Sequence, residues 1–486
     1  MLVFLLLFAL ATRLPWIISN TMLFGFDHGR DALTVFNIIK NLNPVFVGPP
    51  TSIPGLFVGP GWYYFLTLAY WLGQGNPISS AYLMFLLYIV AIVLAYKYLG
   101  FYEAVILTVA PIWTQLSTGA QSPYPVPMIT LLIVILLQKI VRAKNIPRRM
   151  IIFLGLLLGL GFNFSSAGTL FYLILIPLIL IWRRKKLNWL DFGGSIFITF
   201  IPQILFELKH RFSQTQALIA YFAKGESQHI SLGKISTVNH SIINELALAI
   251  LPDTLWLKII GLAILTIGII YLVKQKKFGF WPEILVLIFV PVVGFWFLHY
   301  NVWYAYGLLP LAVIATGKIL RSLPKSLASL FLILLIINSV IKLYGFTFQE
   351  RDFLKHHKGF LPAKMQTLNY IYNQAGNQPF ASFQYHPEIY DYAYQYLYIW
   401  KAFKGKPLPV EFSYQPGAPT YINEKVDFLA KLPQSTNKAE KIFLIIEKPE
   451  NVWHYPFQRW LDNIKYSEVV SKKEFGPELE VWQVKP

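Results

Sequence analysis

Hydrophobic and polar positions alternate on a long scale in this chain: apolar runs of about 20 residues, enough for a helix to cross a bilayer, are separated by short polar connections. Such runs lie at 1–19, 79–96, 101–117, 124–140, 150–163, 166–182, 188–206, 254–273, 281–298, 304–320 and 326–345, which predicts eleven transmembrane helices. The first run carries no basic residues ahead of it, has Arg13 and Pro15 late and lacks a small-residue cleavage site. It therefore reads as a span, not as a signal peptide. A further apolar run, 60–73 (GPGWYYFLTLAYWL), is short for spanning. With 28–43 it is predicted to form a pair of helices lying on the outer membrane surface, where Trp62, Tyr63, Tyr64, Tyr70 and Trp71 suit the headgroup level.

After residue 345 no further run occurs and charged residues become frequent. The pattern predicts helices at 362–375 and 389–403, the second with an aromatic face, and strands at 441–447 and 479–484. A turn-rich stretch, 405–420, with Pro407, Pro409, Pro416, Gly417 and Pro419, separates the two halves. The expected fold class is an all-α polytopic membrane protein with a small C-terminal α/β or α+β soluble domain. Its domains are 1–345, with outer loops 20–78 and 207–253, and 346–486.

Composition agrees. Of 486 residues 55% are hydrophobic and 14% charged, with a mean hydropathy of +0.50, too apolar for an ordinary soluble chain. The 14 Trp, 28 Tyr and 38 Phe exclude an unfolded chain. Without cysteine there are no disulfides, thiol nucleophiles or thiolate metal sites. A net charge of +18 could suit a nucleic-acid partner, but its placement speaks for a membrane. The segment after 345 holds 17 Lys/Arg against 15 Asp/Glu, so the excess lies in the apolar part. There it falls in alternate connections: Lys97; Lys139, Arg142, Lys144, Arg148 and Arg149; Arg183 to Lys186; Lys274, Lys276 and Lys277; Lys318, Arg321 and Lys325. Connections of the other parity, 117–123, 163–165 and 299–303, have no Lys or Arg. Basic residues are retained on the cytoplasmic side. The expectation is a multi-pass plasma-membrane protein with a cytoplasmic N-terminus, an extracytoplasmic C-terminal domain and no nucleic-acid partner.

Candidate chemistry gathers at the predicted outer face. FDHGRDAL, 26–33, follows the first span and places Asp27, Arg30 and Asp31 on one helical face. An acid beside a guanidinium can position or deprotonate an acceptor while the guanidinium holds a phosphate; a capped helix start with a local ion pair fits the same spacing. FELKHRF, 206–212, sets Glu207, Lys209, His210 and Arg211 against the charge bias. An anionic ligand would explain that exception, and so would a solvated juxtamembrane charge run. Gln121, Ser122 and Tyr124 in one outer turn, and His299, Asn301, Tyr304 and Tyr306 in another, could touch a ligand or simply form turns and interfacial anchors. No P-loop, dinucleotide fingerprint or H-E-x-x-H is present. Most spans lack charges near their middle, which argues against an ion-coupled transporter.

These residues resemble the GT-C glycosyltransferases that use polyprenyl-phosphate sugars, related to protein O-mannosyltransferases and, in the first motif, to the lipid A aminoarabinose transferase. Members carry an Asp-Glu motif after the first span, D-E-x-R in the aminoarabinose branch; here it is Asp27-His28-Gly29-Arg30, with His28 in place of the glutamate. Gly59-Pro60-Gly61-Trp62-Tyr63-Tyr64 is similar to a P-P-L-Y-Y-Y-like helix, and GLLLGLGFNFSSA (155–167) and the Pro-Gln-x-x-Phe-Glu run at 202–207 are also similar to members. The resemblance implies an inverting transferase working on the outer side of the membrane. It moves a sugar, hexosyl or pentosyl, from a polyprenyl-phosphate carrier in the lipid bilayer to an acceptor lipid, protein or glycan. Asp27 would be catalytic. Arg30, with Lys209, His210 and Arg211, would bind the donor phosphate; His28, Asp31, Tyr63, Gln121, Glu207 and Tyr304 would be acceptor or donor contacts. Some relatives bind a divalent cation near the motif, but one carboxylate pair is too few ligands to assign one. Two rival readings are a non-catalytic lipid-linked-glycan carrier or flippase, and an inactive scaffold subunit of the same fold.

Overall fold

Each apolar run becomes a helix because a chain in lipid must satisfy its backbone hydrogen bonds internally. The computed structural model describes residues 1–223, 230–276, 279–386, 390–418, 421–433, 438–448 and 456–486. Lys277, Pro419 and part of the 207–253 segment lie outside them. Helices occupy all eleven predicted spans, from Leu2–Ile18 to Lys325–Gly345. Among the described residues five helical stretches are long and apolar enough to cross a membrane, Ile78–Tyr98, Trp189–Lys209, Leu255–Gln275, Val302–Ser322 and Lys325–His356, and shorter apolar helices include Ser166–Trp182 and Trp281–Phe297. One span is broken: 101–117 divides into Phe101–Val109 and Pro111–Thr118, with Ala110 extended at ψ 148°. The residue before a proline is disfavoured in the helical region, so the break falls where Pro111 dictates.

The molecule divides into two compact units that interleave in sequence: Met1–Leu14, Val45–Tyr64 and Leu83–Leu343 form one, and Pro15–Pro44, Phe65–Tyr82 and Tyr344–Pro486 the other. In the first, the helices Arg148–Phe164 and Trp189–Lys209 pack closely. A Cβ on Gly155 would lie 2.0 Å from the Ser195 hydroxyl and one on Gly159 1.9 Å from that of Thr199. The two glycines, four residues apart, thus let these helices approach as small residues do in membranes. Three buried charges of this unit are satisfied by hydrogen bonds or by ion pairs. Arg13 donates to Ser117 Oγ at 2.8 Å and to the Thr108 carbonyl at 2.9 Å, while Glu103 pairs with Arg321 and Glu283 with Arg183. Within the predicted outer segment 207–253 stand two helices that the hydrophobic pattern did not predict, Ser213–Ala223 and Leu232–Ile250. The second buries Val238, Ile242 and Ala249 and accepts a hydrogen bond from Trp113 Nε1 at 3.0 Å.

The two helices expected on the membrane surface form, at Phe26–Asn41 and Gly61–Leu72, but not with the exposed aromatics foreseen. Trp62, Tyr63 and Tyr70 are buried inside the protein, and only Tyr64 and Trp71 are exposed. The first helix buries the run Asp31–Asn37.

In the second unit the chain after 345 builds a five-stranded sheet of order β2-β1-β3-β5-β4, with β1 Phe380–Tyr385, β2 Glu411–Ser413, β3 Lys441–Glu447, β4 Glu468–Gly476 and β5 Leu479–Lys485. β1 runs parallel to β2 and β3, whereas β5 is antiparallel to β3 and β4. The expected strands are β3 and β5, and the expected helices are Leu361–Ala375 and Tyr392–Phe403. Alternate side chains serve the two faces. Ala381, Phe383 and Tyr385 join Leu444, Ile446 and Trp460 in one core, while Ser382 accepts the Tyr398 hydroxyl on the other. Helix Tyr392–Phe403 has more than the one aromatic face expected, since 393–399 are all buried. Tyr394 and Tyr398 hydrogen-bond toward the sheet, and Tyr396 packs against Phe24, Phe36 and Tyr70 on the opposite side.

Candidate active site

The motif residues occupy the first turns of helix Phe26–Asn41, which starts after the extended Gly25 without a side-chain cap. Helical spacing brings Arg30 Nη1 to Asp27 at 2.7 Å, and Arg30 Nε and Nη2 reach Asp31 Oδ1 at 3.0 and 2.7 Å. The three side chains differ in access. Asp31 is 7% exposed and Arg30 13%, while Asp27 is 62% exposed. The inner carboxylate therefore fixes the guanidinium and the outer one stands in solvent. Phe26 lies beneath, its ring centre 5.9 Å from the Arg30 guanidinium carbon.

His28, between Asp27 and Gly29 in the motif, is half-buried near Phe24. Burial pushes its imidazole down to about 4, opposed by Asp27 and reinforced by Arg30. It is neutral at physiological pH and supplies no carboxylate. Among the described residues no group of three or more His, Asp or Glu is arranged to hold a metal ion.

The motif helix is fastened by the C-terminal part of its own unit. A Cβ on Gly29 would sit 2.3 Å from the backbone nitrogen of Ala393, so only glycine allows the two helices to meet there. Farther along, Thr34 Oγ1 donates to Glu424 at 3.3 Å and Asn37 Nδ2 to Asp427 at 3.0 Å. Phe36 packs against Tyr396, Phe403 and Phe428. Sequence reasoning missed this support, because partners more than 350 residues away leave no local signal. What could have been noticed is an aromatic-rich helix, 389–403, with no polar side to give to water.

The other candidates belong to the first unit. Lys209, His210 and Arg211 are exposed at the end of helix Trp189–Lys209, where Arg211 and Phe212 turn the chain with φ of +54° and +59°. His210 stacks on Phe206 with 4.0 Å between ring centres, and its Nδ1 faces the Phe206 carbonyl. Glu207 accepts from the backbone of Gln214 and Thr215 at 2.9 and 3.0 Å and from Thr215 Oγ1 at 2.6 Å, holding the start of the next helix. Tyr304 meets Ser52 Oγ at 3.2 Å, and Asn301 donates to the same hydroxyl. Asn163 accepts from Gly61 N at 3.3 Å, and Gln203 and Gln214 bond the Phe57 backbone. Tyr304 thus helps fix the segment 45–64 directly, whereas Glu207 holds Gln214, whose side chain accepts from Phe57 N. Tyr63 is buried, and Gln121 offers its carbonyl to Tyr124 in a turn.

No protein-family model matches the sequence, and no characterised protein matches it in sequence. In structure the chain is similar to ArnT from Cupriavidus metallidurans bound to undecaprenyl phosphate, with a TM-score of 0.60 and 12% identity over 99% of this chain and 97% of that one. The apo state of the same protein gives a TM-score of 0.59 and 10% identity over the same shares. Over 99% of its length the chain shares the fold of ArnT, a set of apolar helices closed by a C-terminal domain with a five-stranded sheet.

Proposed function

We propose that the protein is an integral membrane glycosyltransferase that moves a sugar from a polyprenyl-phosphate carrier to an acceptor on the outer side of the membrane, inverting the anomeric carbon. The arrangement of Asp27, Arg30 and Asp31 carries this reading, and the likeness in fold to a protein bound to undecaprenyl phosphate supports it. Asp31, nearly buried, keeps Arg30 in place while the carrier phosphate competes with Asp27 for the outer guanidinium nitrogen. Binding of the donor thereby frees Asp27, the exposed carboxylate, to accept the proton of the acceptor. The acceptor oxygen attacks the anomeric carbon, the bond from that carbon to the phosphate oxygen breaks, and the carrier leaves as its phosphate anion beside Arg30. A fixed cation is worth most where charge grows in the transition state. Lys209, His210 and Arg211 are proposed as a secondary, solvent-exposed anion contact, and His28, Tyr63, Gln121, Glu207 and Tyr304 as acceptor or donor contacts.

The test is release of free polyprenyl phosphate by purified full-length protein supplied in turn with polyprenyl-phosphate hexoses, pentoses and aminosugars. At least one donor should be consumed; release from none would favour a scaffold or carrier. Orientation is checked independently in this cysteine-free chain. A cysteine at Lys276 should resist an impermeant thiol reagent in intact cells, and one at Ile230 should react.

A further inference from the structure

Beside the acid–arginine pair the second unit presents a group of aromatic rings that the proposed transfer step does not use. Phe26, under Arg30, meets Tyr392 edge-on at 4.9 Å and Tyr390 at 6.4 Å between ring centres. Tyr390 stacks on Tyr392 at 5.7 Å and lies 5.8 Å from Tyr421, which in turn meets Tyr414 at 5.0 Å. All five are at least partly open to solvent, and Tyr390 is 43% exposed. Large rings left open on a soluble domain mark a place where something binds.

The group is built, not incidental. Asp391, between Tyr390 and Tyr392 in sequence, is fully buried, accepts the Tyr421 hydroxyl and accepts from Gln395 Nε2 at 2.6 Å. A buried carboxylate is costly unless it is hydrogen-bonded, and here the bonds it collects lock one ring of the group from behind. Glu424, which also takes the Thr34 hydroxyl, lies close enough to Tyr392 to act on it electrostatically, as does Arg30.

We propose that Tyr390, Tyr392 and Tyr421 form a subsite for a sugar ring of the acceptor, so that the acceptor is a glycan. This rests on the transferase reading above. A pyranose offers one face of C–H groups, which the electron-rich faces of aromatic rings attract, and a rim of hydroxyls, which the Tyr390 and Tyr392 hydroxyls and Glu424 can bond. The donor sugar comes already tethered through its phosphate and lipid; the incoming acceptor has no such tether and needs a platform near Asp27 to present its hydroxyl.

The test is saturation-transfer NMR on the full-length protein in lipid nanodiscs, with maltopentaose, mannopentaose and chitopentaose as probes. At least one should bind, with roughly tenfold weaker affinity in Tyr390→Leu, which removes the ring, and little change in Tyr390→Phe, which keeps it. No binding of any probe at about 10 mM, or equal binding by wild type and Tyr390→Leu, overturns the proposal. Displacement of the bound probe by added polyprenyl-phosphate sugar would assign the rings to the donor and overturn the acceptor assignment; co-binding supports it. Because the assay needs no turnover, failure of every donor to release polyprenyl phosphate would sink the transferase reading alone, and ring-independent binding would sink the platform alone.

Discussion

A single arginine and a basic cluster stand out from the predicted charge bias, Arg30 in the motif helix and Lys209 to Arg211 at the end of a span, and their surroundings are opposite. Arg30 is 13% exposed, held by two carboxylates and mounted on a helix whose far face is packed into a folded domain. Lys209, His210 and Arg211 are exposed, and the acid nearest them in sequence, Glu207, is occupied by the start of the following helix. Charge alone does not make an anion site. A guanidinium held in advance by its neighbours loses little freedom when a phosphate arrives, whereas flexible surface side chains pay for their ordering and are screened by salt.

The hardest blow to this contrast would come through the mounting of the motif helix. Gly29→Val places a side chain where backbone already stands and should cost several kcal/mol of stability, of the order seen for overpacked buried sites (about 1–3) or more; melting of the purified protein measures it. A variant as stable as wild type would show that Arg30 is not held by its helix contacts. His28 gives a smaller, pH-dependent signature. Its pKa is lowered to about 4 in the folded protein, below its ordinary value of about 6.5. The unfolded chain therefore binds more protons between those values, so stability contributed by neutral His28 is present above pH about 6.5 and is lost as pH falls toward 4. His28→Asn should flatten this part of the stability profile; an unchanged slope would place the imidazole in water. The smallest effect belongs to the second cluster: Lys209→Ala with Arg211→Ala should change donor KM by no more than a few-fold, a change erased by moderate salt.

Much of the architecture was legible because lipid and water impose a coarse code. Runs such as 166–182 and 281–298 correspond to helices to within a residue. The code failed where burial came from protein instead of lipid. Leu232–Ile250 carries Asn239, His240 and Glu245, so it did not read as apolar, yet one stripe of it is buried. Trp62, Tyr63 and Tyr70 looked like headgroup anchors because core and interfacial aromatics have the same composition, and only tertiary packing separates them. In the motif, the pairing of Asp27 with Arg30 follows from helical spacing. The division of labour between an exposed Asp27 and a buried Asp31 does not, since it depends on Ala393, Glu424 and Asp427, which chain topology alone delivers.

We propose Arg30 and Asp27 as the working pair and the juxtamembrane basic cluster as accessory. The direct measurement is the rate of polyprenyl-phosphate release, with the donor identified by screening, for Asp27→Asn, Arg30→Ala and the Lys209→Ala, Arg211→Ala double variant in the same membranes. The expected result is a fall of roughly 100- to 1000-fold for each of the first two and near wild-type release for the third. Undiminished release in Asp27→Asn and Arg30→Ala would contradict the account.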